Sequence, residues 1–85
     1  MRLEFWNWEG RPAVVVGVPG EKLRGFFISR SEREWKPASA FEIGDSGRPL
    51  PDWDTLVRVF PDKLAGRSLD EIFDQLGSAS AKAAE

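Results

Sequence analysis

The sequence predicts one small α+β domain: an antiparallel β-sheet or SH3-like barrel of four to five short strands, with one amphipathic helix near the C-terminus. Three observations carry this expectation. The chain has 85 residues, enough for a single core. Its N-terminal part repeats short apolar runs at strand period between turns rich in Gly and Pro. A capping sequence at Ser68 then opens a helical stripe. The domain is expected over 1–77, with the helix near 68–76 and a flexible tail over 78–85.

Arg2 to Trp8 alternates, with Leu3, Phe5 and Asn7 on one side and Arg2, Glu4, Trp6 and Trp8 on the other. Glu9, Gly10 and Arg11 supply a turn, and Pro12 can open the next strand only where no ladder donor is needed. Ala13 to Val18 is a β-branched run that fits a central strand covered on both faces. Pro19-Gly20 ends it in the order a type II turn prefers. Lys22 to Arg30 is a third strand containing Gly25, and a glycine there marks a bulge, a sharp bend or the close approach of another backbone.

Ser31 to Glu34 is a charged loop. After Trp35 two readings stand: Pro37 opens a short helical turn through Ala38 to Phe41, or Ala40 to Ile43 forms a strand. Gly44 to Asp52 is loop by its Gly and Pro content, and Trp53 to Phe60 alternates as a further strand. Ser68 and Glu71 form a capping box, with Leu69, Ile72, Phe73 and Leu76 as one apolar stripe, Asp70, Asp74 and Gln75 facing water, and Gly77 as the stop.

Composition removes whole classes of function. Without His or Cys the chain lacks the commonest general base, the thiol nucleophile and the ligands of nearly all transition-metal sites, so no metal, cofactor or catalytic residue is expected. The carboxylate pairs Asp52/Asp54 and Asp70/Asp74 read as solvated surface charge. Gly44-Asp45-Ser46-Gly47 resembles a fragment of a nucleophile or metal loop but has no partner base, and reads as a turn. The formal charge of −2, from 12 basic and 14 acidic side chains, gives no whole-molecule field to attract nucleic acid or an anionic membrane. The absence of cysteine and of a long apolar run points to a cytoplasmic protein, neither exported nor membrane-embedded.

Four Trp and six Phe are a heavy aromatic load for this length. If Leu3 and Phe5 face the core, Trp6 and Trp8 fall on the opposite face, near Arg24 and Arg30 of the third strand. These residues, with Phe26, Trp35 and Arg58, form the expected binding surface, because rigid rings and planar guanidinium groups concentrate interface energy. The function expected is a non-enzymatic protein-interaction module, a regulator, inhibitor or subunit, that uses this aromatic/Arg surface, a sheet edge or self-association. The alternative is a small β-domain binding single-stranded nucleic acid, with Trp6, Trp8 and Phe26 stacking on bases while Arg24, Arg30 and Arg58 meet phosphates.

Overall fold

In a computed structural model of the chain, residues 1–84 are described, with side chains described through Gly77. The elements are β1 (Arg2–Trp8), β2 (Arg11–Gly17), β3 (Arg24–Phe27), β4 (Lys36–Ala38), α1 (Ala40–Ser46), β5 (Arg48–Leu50), α2 (Trp53–Val59), α3 (Pro61–Leu64) and α4 (Asp70–Ala84). The strands make one antiparallel sheet in the order β4-β3-β2-β1-β5. It is an open sheet, not a barrel, since β4 and β5 lie at opposite edges.

The expected β1–β2 hairpin is present, with its register running from Arg2 opposite Gly17 to Trp8 opposite Arg11, so that Arg11, expected in the turn, opens β2 instead. This leaves Glu9 and Gly10 as a two-residue loop, with φ of 53° and 82°. Two central residues at positive φ are the requirement of a type I′ turn, whose twist matches that of the flanking strands. Gly25 is a close approach. A Cβ there would lie 2.7 Å from both the Ala38 carbonyl oxygen and Ile43 Cδ1, so its bare Cα lets β4 and α1 come down onto β3.

Each face of the sheet is covered, and each cover makes a core. On one face Val14, Val16, Phe26 and Ile28 meet Trp35, Leu56, Leu64 and Ile72, bringing in α2, α3 and α4. On the other, Trp8, Ala13 and Val15 meet Ile43 of α1. The Gln75 amide donates to the Trp35 carbonyl at 3.1 Å, so Gln75 ties α4 to the loop before β4 and does not simply face water.

Several expectations are corrected. Trp53–Phe60 is mostly helix, because Trp53, Leu56, Val57 and Phe60 also fall at i, i+3, i+4 and i+7, and this period wins. Asp52 caps that helix, accepting from the Thr55 N–H at 2.8 Å. The stretch expected as loop over Gly44–Asp52 holds the end of α1 and all of β5. Neither reading of Pro37 holds as stated: it sits in strand β4, and the helix starts afterwards with Ser39 as its cap. The third strand is only Arg24–Phe27. At α4, Ser68 Oγ accepts from the Asp70 N–H at 3.3 Å, while Glu71 pairs with Arg67 instead of closing a capping box. The backbone of α4 continues past Gly77 to Ala84, and the tail expected over 78–85 falls on residues whose side chains lie outside the described part.

Both sheet edges carry a proline turned outward. The Ile28 N–H donates to the Pro12 carbonyl at 3.1 Å, so Pro12 points its backbone at β3 and leaves Asn7 opposite it pointing toward β5. By the same alternation Arg48 and Leu50 face β1 while Pro49, opposite Trp6, faces outward. On the other side Lys36 and Ala38 face β3, and Pro37, opposite Phe26, faces outward. Neither three-residue edge strand therefore offers an outward N–H.

Candidate binding site at the hairpin end

The tight turn returns Arg11 directly across from Trp8 and decides what that arginine does. Its guanidinium carbon lies 3.9 Å from the Trp8 ring centroid and 5.4 Å from that of Phe27. Its Nε donates to the Trp8 carbonyl at 3.1 Å, and one terminal nitrogen meets Glu9 Oε2 at 3.0 Å. Trp8 is itself held: its ring meets Phe27 edge-on with centroids 5.3 Å apart, and its Nε1 donates to Ser46 Oγ of α1 at 2.8 Å. Arg11 is thus a cation on a fixed aromatic shelf, which lowers the entropy lost when it binds a ligand.

Chain leaving β3 builds the facing wall. Arg30 donates to the Glu9 carbonyl and lies against Gly10, where a Cβ would come 3.4 Å from its terminal nitrogen. The Lys63 ammonium donates to the Arg30 carbonyl at 3.0 Å and also to the Glu32 carbonyl, which ties this loop to α3. Between the walls is a cleft of about 460 Å³ lined by Glu9, Arg11, Ser29, Arg30 and Ser31. The Ser29 hydroxyl is closed to solvent and has no hydrogen-bond partner among the described residues. Around Arg30 lies a second, more apolar cleft of about 210 Å³, whose lining includes Pro12, Ile28, Val59, Phe60 and Pro61.

The residues expected to share one surface are distributed differently. Phe26, Trp35 and Trp8, at 1%, 4% and 8% exposure, belong to the cores, because helices cover both faces of the sheet. Trp6 is half-buried beside Gly47, and its Nε1 has no hydrogen-bond partner among the described residues. Arg24 is half-buried with its guanidinium 5.6 Å from the Phe26 ring. Arg58 is exposed on α2 and donates to Thr55 Oγ1 at 3.4 Å. Of the expected set only Arg30 lines the hairpin-end cleft. Arg11, Ser29 and Ser31 were not anticipated there, although a two-residue turn at Glu9-Gly10 already implies that Trp8 and Arg11 are opposed.

No family model, curated protein or solved structure matches this chain. What the site can do follows from its geometry. Among the described residues no three His, Cys, Asp or Glu side chains gather to hold a metal ion. No described helix is long and apolar enough to cross a membrane. Asp52, the cap of α2, has its carboxyl held below the usual range, first by the Thr55 backbone N–H and then by the Thr55 hydroxyl. A carboxylate stabilised in its ionised form by a cap is poorly suited to donate protons. In the hairpin-end cleft two guanidinium groups stand against one carboxylate, which leaves a local excess of positive charge.

Proposed function

We propose that this chain is a non-enzymatic protein-interaction module that receives an acidic group of a partner protein at its hairpin end, acting as a regulator, inhibitor or subunit. The observation that carries the reading is the Arg11 guanidinium held over the Trp8 ring, 3.9 Å from its centroid, and lining a cleft it shares with Arg30. A guanidinium positioned in this way meets a carboxylate through two parallel N–H bonds with little further ordering. The apolar cleft around Arg30 adds contact area to the charge. Of the interaction modes the sequence suggested, a side-chain surface suits this molecule better than pairing at a sheet edge, because both edge strands turn a proline outward.

The test compares the unaltered protein with an Arg11→Gln/Arg30→Glu variant as baits in extract of the source cells, with melting curves to show that the variant folds. Arg2→Glu/Arg58→Glu serves as the charge control. The expected outcome is a partner held by the unaltered and control proteins and lost by the cleft variant. A partner held equally by all three would place the contact elsewhere.

A further inference from the structure

Building on that reading, we propose that the hairpin end binds the C-terminus of a partner chain that finishes in an apolar residue. The terminal carboxylate lies between Arg11 and Arg30, and the last side chain enters the apolar cleft around Arg30. Charge selects the class of anion. Arg11 and Arg30 against Glu9 leave one unbalanced positive charge, which a monoanionic carboxylate neutralises. A dianionic phosphoryl group would leave an excess negative charge beside Glu9, whose Oε2 stands 3.0 Å from an Arg11 terminal nitrogen.

The cleft also holds an unused donor. Ser29 Oγ is closed to solvent and has no hydrogen-bond partner among the described residues, and a bound carboxylate would supply its acceptor once a change of rotamer brings the hydroxyl to the cleft that Ser29 lines. The lining of the second cleft includes the fully buried Pro12 and Ile28 and also Val59, which is 44% exposed and open to a ligand. The two clefts share Arg30. Filling both from one residue requires a carboxylate and an apolar side chain on the same Cα, which a chain terminus supplies. An internal Asp or Glu would use its side chain for the charge and have none left for the apolar cleft.

Fluorescence anisotropy with labelled random-sequence peptides ending in Leu tests this, using each pool as the free acid and as the carboxamide. The expected result is binding of the acid roughly tenfold tighter than the amide, the loss of about one charge-assisted pair. Arg30→Gln and Ser29→Ala narrow that difference, and Val59→Asp removes the preference for Leu over Lys at the last position. Equal binding of acid and amide overturns the proposal and assigns the cleft to internal acidic side chains. Stronger displacement by inorganic phosphate than by acetate overturns the choice of carboxylate. If neither pool binds while the partner capture still depends on Arg11 and Arg30, this inference fails and the module reading stands; if that dependence is absent as well, both fail.

Discussion

Gly25 shows how one missing side chain joins three elements. Its Cα is the point at which β3 admits the β4 backbone on one side and Ile43 of α1 on the other. A methyl group there meets Ala38 O and Ile43 Cδ1 at 2.7 Å, and the carbonyl belongs to a ladder that cannot yield alone. We expect Gly25→Ala to destabilise the fold by about 1–3 kcal/mol, the range of an overpacked core site. Chemical denaturation measures it, and an unchanged midpoint would mean that α1 and β4 move aside freely. The sequence singled this residue out with three readings open, a bulge, a sharp bend or a close approach, and the contacts of its Cα with β4 and α1 are the close approach. Trp8 was harder to place. Alternation put it opposite Phe5, but only the helix formed by Ala40–Ser46 shows that this second face is also a core.

At the scale of elements, the N-terminal hairpin was legible because period and proline placement agree, although its turn is one residue shorter than the Glu9–Arg11 reading and Arg11 belongs to β2. The segment after Asp52 was not, because its apolar residues satisfy two periods at once. Trp53, Thr55, Val57 and Val59 alternate, while Trp53, Leu56, Val57 and Phe60 follow a helix. The cap decides between them. Asp52 accepts from the Thr55 N–H, and this bond holds its carboxyl pKa below the unfolded value. The folded state therefore binds the proton less tightly than the unfolded state. The stabilisation is fully present above the unfolded value of about 3.9 and is lost as pH falls through the lowered folded value. Melting curves across that acid range should show Asp52→Asn losing less stability than the unaltered protein, and parallel losses would remove the cap from the account. Ser68→Ala should cost less than the full cap value of about 1 kcal/mol, since its hydroxyl makes one long bond and Glu71 is committed to Arg67. A full loss in thermal stability would restore the capping box.

At the scale of the molecule, a sheet covered on both faces has only its edges left for uncontrolled pairing. Here the edges are three residues long, and the one residue of each that turns outward is proline. The register makes this necessary: Pro37 and Pro49 lie opposite Phe26 and Trp6, positions that need no ladder donor. Restoring an N–H at these points should therefore change association more than folding. We expect Pro37→Val/Pro49→Val to remain folded, and light scattering to show its mass rising with concentration while the unaltered protein keeps one mass throughout. If both behave alike, the short length of the edges alone prevents pairing and the prolines serve the turns beside them. If instead the unaltered protein already self-associates, its contact lies off the edges, and the hairpin end becomes the first surface to test by substituting Arg11 and Arg30.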